Sequence, residues 1–486
     1  MNQTRPGIPS GAGLRRRLWA TAVAAASISG LAVPAAAQTS LNPSTRVSTP
    51  IGELNGASSV PAIPQPEALF PDMFGLGPKL RNMGIAVLLD DTNEFDGIIS
   101  GSKKGATNSG QYALETDIDW ERLAGWRGFS THTVVVGRYG IPASRIFGDN
   151  INPSQEIYGS GGNVVVHLVY AYGEETIAHG RGDVAFGRIP MLNDFSASPL
   201  YCNFQNNAFC GNPKASSDNI AHSSYPDAGW AIRARVRPTD TTYVQSGIYF
   251  DESGIYSNAF QRTGFRFDAA QIAGETFPVE IGWEPVFGAD KLPGHYKIGF
   301  AYDNLNHADN YFDVNDSARA ATGLAARERK GSTSDWALVD QMLMRNGPGA
   351  TDGIIAIAGY YHNDPASATR ADQYEVGLLD HDFWKARPLD TIGIAFSYIS
   401  VADTLTRTEE LQQELGLPIT GSGGQFYDSS RPGIQSHTMN IEADYQIHVM
   451  RGVTFAPDFQ YFIRPNAQTN LHDAALLGFK THIELF

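Results

Sequence analysis

Arg233, Arg235 and Arg237 recur at every second position of a segment whose other positions are Trp230, Ile232, Ala234 and Val236. A guanidinium is a rigid fork of N–H donors matched to hydroxyl and carboxylate oxygens. At a two-residue spacing on an extended chain, all three point to the same side. The same logic groups Glu280, Glu284, Lys297, Asp303, Glu442, Asp444, Asp458 and Gln460 on polar parities that alternate with apolar residues. Forked donors set against carboxylates and amides are what recognition of a neutral, polyhydroxylated solute requires, with an aromatic face for its C–H groups. The simpler role for such residues is to pair with one another and keep a surface wet. Hydrolysis would need two carboxyls held as an acid and base pair, and nothing in the spacing marks such a pair. There is no Gly-x-Ser-x-Gly elbow, no His-Glu-x-x-His helix and no Walker-type loop. His222, His307 and His362 lack ligand spacing, so no metal, cofactor or catalytic residue is expected.

The elements that must hold these residues are strands. Clean period-two alternation covers Trp230 to Arg237, Tyr296 to Asp303, His437 to Val449 and Val453 to Ile463. Strands of soluble sandwiches average ~5–6 residues, whereas a tilted strand crossing a bilayer needs ~9–11; the last two segments reach the longer class. Sixteen strands are expected, near 84–90, 111–120, 129–139, 163–172, 182–189, 229–237, 242–250, 278–286, 295–303, 334–345, 352–361, 372–380, 390–400, 436–449, 452–463 and 474–486. Connections after odd-numbered strands are mostly long and those after even-numbered strands short, so the two sorts lie at opposite ends. That sorting predicts an all-β fold: a closed antiparallel transmembrane β-barrel with short periplasmic turns and long extracellular loops. An even strand count leaves no open edge.

Composition agrees. The 486 residues are 42% hydrophobic and 18% charged, with 36 Lys+Arg against 51 Asp+Glu. A net charge of −15 without a basic block excludes nucleic acid as a partner. Residues 1–37 read as a secretory signal, with Arg15 to Arg17 before an Ala-rich apolar run and Ala35 to Ala37 before the cut. Its removal takes away four Arg and no acid, moving the charge from −15 to −19. Residues 38–83 read as a flexible periplasmic linker with a short helix, and 84–486 as the barrel. The two cysteines, Cys202 and Cys210, belong to an exported chain and favour a disulfide over a metal site. Closing so small a loop stabilises by roughly 2.6 kcal/mol, enough to shape one connection and not a whole fold.

Arg and Lys cost ~2–4 kcal/mol on a lipid face near the midplane, so the polar parity must face the lumen. The longest connection, 190–228, is expected to fold inward as part of a constriction, with Tyr201, Phe204 and Phe209 as stacking surfaces. Tyr139, Tyr360, Tyr361, Trp384, Tyr398 and Tyr461 are candidates for interfacial girdles, and Thr404 to Gly416 carries a short helical pattern.

The chain resembles the carbohydrate-selective porin (OprB) family. The resemblance runs from about Leu69 to the C-terminus through Asp117-Ile118-Asp119-Trp120-Glu121-Arg122-Leu123-Ala124-Gly125-Trp126-Arg127-Gly128, the amide-rich, cysteine-flanked block Pro199 to Pro213, and Pro457-Asp458-Phe459-Gln460-Tyr461. It departs from the family at Met73 to Gly77, where Trp-Gly-Gly-x-Arg is usual, and at the nearly all-apolar Val164 to Val169. Phe486 also falls on the polar parity of its strand. The resemblance implies a sixteen-stranded channel for sugars, such as glucose or small oligosaccharides, in the lipid of a Gram-negative outer membrane. Such a chain reaches that membrane through its signal peptide and the barrel-assembly machinery. General or cation-preferring diffusion, a structural barrel and a secreted polysaccharide hydrolase are the alternatives. A homotrimer stays open, since it needs one barrel wall with small, flat residues.

Overall fold

A computed structural model describes residues 67–157, 164–210, 213–216, 224–255, 263–265, 267, 272–424 and 426–486. The expected signal segment lies outside the described residues. The sixteen strands are β1 Ile85–Ser100, β2 Gly105–Asp119, β3 Phe129–Gly140, β4 Val164–Ile177, β5 Gly182–Ile189, β6 Gly229–Thr239, β7 Thr242–Glu252, β8 Ile272–Trp283, β9 Leu292–Asp313, β10 Ala326–Arg345, β11 Gly353–Asn363, β12 Arg370–His381, β13 Thr391–Val401, β14 His437–Met450, β15 Val453–Ile463 and β16 Ala474–Glu484. Each pairs antiparallel with its neighbours in sequence, and β16 returns to β1 with Asp91 opposite Ile483, which closes the barrel. The two-residue strand Val286–Phe287 pairs with Leu292 and Pro293 to tighten one periplasmic turn.

The seam is reinforced from both termini. Leu69 and Phe70 donate backbone N–H groups to the carbonyls of Glu484 and Leu485, and Leu485 donates to Leu89. Because β16 ends at Glu484, Phe486 lies past the strand, and its conflict with the strand parity disappears. A short helix, Gly77–Asn82, precedes β1, and Asp403–Glu414 forms a helix in the outer connection between β13 and β14.

Two outer connections are less than two thirds of their expected length. β1 continues to Ser100 and pairs with β2 as far as Ile98 opposite Gly105, leaving only the turn 101–104. The alternation is hidden there because Asp91 and Asn93 are polar on the outward parity. β9 and β10 run on together beyond the other strands, with Ala326 still paired to Asp313, so only 314–325 remains between them.

The faces divide as polarity requires. Ile232, Val236, Ile298 and Ile394 are exposed on the outer wall, while Arg233, Arg235, Glu280, Asp303, Glu442, Asp444, Asp458 and Gln460 are buried inside. Tyr360, Tyr374 and Tyr398 form an outward row of neighbouring rings, with His437 stacked on Tyr398. Tyr361, expected in that row, instead points inward and is fully buried, because it stands on the opposite parity of β11.

Candidate constriction inside the barrel

A sixteen-strand barrel is too wide for wall side chains alone to fill. Here the outer connections do much of the filling. The described part of 190–228 crosses the lumen, and its backbone donors and acceptors are taken up by inward side chains of the wall. Glu280 on β8 accepts from the Ser196 N–H at 3.0 Å, the Tyr243 hydroxyl at 2.8 Å, Gln245 Nε2 at 2.9 Å and the Trp336 indole at 2.8 Å. Lys297 Nζ donates to the Ala197 carbonyl at 2.8 Å. Glu442 accepts from the N–H groups of Gln205 and Asn206, and Gln460 accepts from Asn206 Nδ2 at 3.0 Å. On β12, Gln373 receives the Ala215 N–H and donates to the Ala208 carbonyl. The segment 141–157 enters as well: Gln460 Nε2 donates to the Ser154 carbonyl, and Gln155 Nε2 to the Glu94 carbonyl.

An apolar cluster accompanies these bonds. Leu192, Phe195, Tyr201, Phe204 and Phe209 of the long connection pack in one buried cluster with Trp336, Leu338, Ile355, Ile357 and Leu379 of β10 to β12. Those strands carry apolar residues on both faces, one side for lipid and one for the infolded connection. Runs such as Trp336-Ala337-Leu338-Val339 and Ile354-Ile355-Ala356-Ile357 are the sequence signal for this, since a strand buried on both faces loses its alternation.

Tyr201, Phe204 and Phe209 are therefore 2%, 0% and 1% exposed. They hold the connection in place and offer no free face to a solute, which corrects their expected role as stacking surfaces. Cys202 and Cys210 are joined in a disulfide between them.

The arginine ladder is neutralised along its length. Arg233 pairs with Glu174 at 2.9 Å and with Asp183; Arg235 Nε donates to Gln245 Oε1 at 3.0 Å; Arg237 pairs with Glu284 at 2.8 Å. Asp303 receives His307 Nε2 at 2.7 Å and the Leu305 N–H at 3.0 Å. Gln446 Nε2 bridges Asp444 and the Asn203 carbonyl, and Asp458 accepts from Gln460 Nε2. These inward groups are mostly covered: the arginines and Asp303 pair within the wall, and Gln446 ties Asp444 to the infolded connection.

Sequence reasoning missed the opposite side of the lumen. Lys480 on β16 lies 3.4 Å from Glu94 and 3.8 Å from Glu156. Arg138 on β3 donates to Gln111 at 2.8 Å and stacks over the Tyr225 ring at 5.3 Å. On the ladder's own side, Arg188 of β5 forms a bidentate pair with Glu252 of β7. Parity counted from His132 places Arg138 inward; the strand-end position obscured it.

Outside the spanning strands, burial raises Asp149 to about 6 although the N–H groups of Ile151 and Asn152 oppose the shift. Lys103, Ser430 and Arg431 hold Asp428 well below the usual carboxylate range.

Residues 103–485 match the model of the carbohydrate-selective porin, OprB family. Porin B of Pseudomonas aeruginosa is 28% identical over 394 residues, covering 79% of this chain and 83% of its own. The putative porin QuiX of Acinetobacter baylyi is 24% identical over 380 residues, covering 76% and 82%. The high-pH structure of Pseudomonas putida OprB superposes with a TM-score of 0.78 at 26% identity, over 86% of this chain and 99% of that one.

Proposed function

This chain belongs to the carbohydrate-selective porin (OprB) family, and from that premise we propose how its channel selects. The protein is an outer-membrane porin through which sugars diffuse passively. Its family and fold are those of a channel rather than an enzyme. The reading goes further in assigning small sugars, monosaccharides such as glucose and short oligosaccharides, to a narrow path. That path runs between the infolded connection and the wall formed by β1 to β3.

One observation carries the assignment. The hydrogen bonds of 190–216 reach β7 to β9, β11, β12 and β14 to β16, and on the seam side end at Asp96 of β1. The connection thus leans on one side of the barrel. Toward β1 to β3 stand Gln111, Arg138, Glu94, Glu156 and Tyr225, a mixture of amide, forked donor, carboxylate and aromatic ring of which Glu156 and Tyr225 are the partly exposed members, and Lys480 joins this group to the connection through the Phe204 carbonyl. Opposed charges within a few ångströms leave little net field for an ion but many donors and acceptors for hydroxyls. In this reading Arg233, Arg235, Arg237, Glu280, Glu284, Lys297, Asp303, Glu442, Asp444, Asp458 and Gln460 support the path from behind. The 1–37 segment exports the chain, and the barrel-assembly machinery inserts it.

Liposome swelling with a graded sugar series tests this. Fast entry of monosaccharides, with rates falling steeply through di- and trisaccharides and low entry of amino acids and salts of similar size, is the expected result. Equal rates for sugars, amino acids and salts would replace it with general diffusion.

A further inference from the structure

Arg464 is the residue that follows β15 at its extracellular end, and it is partly exposed. Register fixes its surroundings. Tyr398 opposite Met439, Ser400 opposite His437 and Met439 opposite Ile463 occupy the outward parity of β13 to β15, and Ile441 opposite Tyr461 follows one step nearer the midplane. Arg464 therefore stands where the apolar band gives way to the headgroup layer. The outward row of rings ends at it. Ring centroids are 4.9 Å apart from Tyr360 to Tyr374, 6.2 Å from Tyr374 to Tyr398 and 5.3 Å from Tyr398 to His437. Arg464 Nη1 then donates to His437 Nε2 at 2.9 Å.

The protein leaves this guanidinium unanswered. Among the described residues no carboxylate pairs with it, and Nε and Nη2 have no partner, since the His437 ring takes only Nη1. Asp473 accepts the Arg464 backbone N–H at 3.1 Å and the Tyr461 hydroxyl at 3.4 Å instead. Asp372, farther along the row, is taken by His362 at 2.8 Å and Ser400 at 3.2 Å. Other cations of the outer connections are paired: Lys103 and Arg431 with Asp428, and Arg327 with Asp309 and Asp316. Among the described residues the Tyr374 and Tyr398 hydroxyls also make no hydrogen bond. A guanidinium fork matches phosphate oxygens bidentately, and such charge-assisted pairs are stronger than neutral ones.

We propose that Arg464, positioned by His437 against Tyr398, seats a phosphate of a phosphorylated glycolipid in the outer leaflet, with the Tyr374 and Tyr398 hydroxyls meeting its sugar. Basic pockets at a membrane surface recognise anionic headgroups, and tyrosine rings settle at that level. The acyl chains of the same molecule continue over Met439, Ile441 and Phe396, which share the outward parity directly below. A headgroup without phosphate would satisfy the hydroxyls and leave the guanidinium unpaired. The site needs only the membrane-embedded barrel and is independent of what crosses the lumen.

The test uses the full-length porin in detergent, stripped of bound lipid and titrated with bisphosphorylated lipid A, the retained lipid being counted by native mass spectrometry. Wild type is expected to retain it, and Arg464→Gln to weaken retention about tenfold, as loss of a charge-assisted hydrogen bond implies. Arg181→Gln, in the periplasmic turn between β4 and β5 and paired with Asp240, leaves retention unchanged. Heat-modifiable migration confirms in each case that the barrel is folded. A second measurement needs no variant: lipid A stripped of both phosphates is expected to bind wild type about tenfold more weakly. Equal binding of the two lipids overturns the proposal. So does full retention by Arg464→Gln, or an equal loss in Arg181→Gln. Displacement of lipid A by inorganic phosphate would assign the site to a free anion and overturns it too.

Discussion

The carboxylate of Glu442 accepts the backbone N–H of Gln205 at 2.5 Å, although 237 residues separate them in the chain. With the second bond from Asn206, it ties the middle of the longest outer connection to the floor of the lumen. Leaving a buried hydrogen-bonding group unsatisfied costs about 1–3 kcal/mol, so this one side chain is worth roughly fivefold or more in the population of the infolded state. Glu442→Ala is expected to raise single-channel conductance and weaken discrimination between sugars of different size, with the barrel still heat-modifiable. Unchanged conductance and sugar block would show that the connection is held without it.

The disulfide acts on the same segment by a different route. Cys202 and Cys210 close a small loop that carries Phe204 and Phe209 at the buried core of the connection. Replacing both by Ser removes roughly 2.6 kcal/mol of local constraint. The expected outcome is noisier, larger conductance with no loss of the folded barrel, read by planar-bilayer recording and by melting of the detergent-solubilised protein.

Polarity on the two faces should be unequally tolerant. Phe396→Arg, on the outward parity of β13, is expected to destabilise by about 2–4 kcal/mol if near the midplane. Gln460→Ala, inside, removes the partners of Asn206 and of the Ser154 carbonyl, and its expected cost is about 1–3 kcal/mol. Urea unfolding into lipid vesicles compares the two, and the discriminating result is that only the second changes sugar passage.

Glu409, on the outer helix Asp403–Glu414, gives a pH dependence with a definite sign. Burial raises it to about 8, against the opposing bond from the Gln435 N–H at 2.6 Å. A carboxyl whose folded value lies above its unfolded one, about 4.3, contributes stability that is present at acidic pH and lost as pH rises through 8. The protection of amides in the helix Asp403–Glu414 against exchange, corrected for the intrinsic base-catalysed rate, is therefore expected to fall between about pH 4 and 8, and Glu409→Gln should flatten that fall. Asp428 works in the opposite direction. Held low by Lys103, Ser430 and Arg431, it stabilises the same connection above about pH 4 and loses that contribution on further acidification.

Local alternation determined the barrel, its strand number and its two faces, because a period-two pattern records which side of each strand meets lipid and which meets water. Trp230 to Arg237 or Tyr296 to Asp303 can be read that way without any neighbour. The signal failed where a strand's surroundings were not lipid on one side and water on the other. β1 was cut short in the reading because Asp91 and Asn93 face outward, and β10 and β11 gave no clear parity because their inner face meets an apolar loop.

What only the tertiary structure decided is which distant segment covers each inward residue. Glu280, Glu442 and Gln460 are legible as inward-facing, yet their partners lie in connections whose path into the lumen is fixed by closure of the whole barrel. Tyr201, Phe204 and Phe209 are legible as aromatic, yet whether a ring is open to a solute or buried depends on the apolar wall of β10 to β12 that it meets. Strand periodicity is a local property of the backbone; a constriction is a contact between residues hundreds of positions apart, and no local period encodes it.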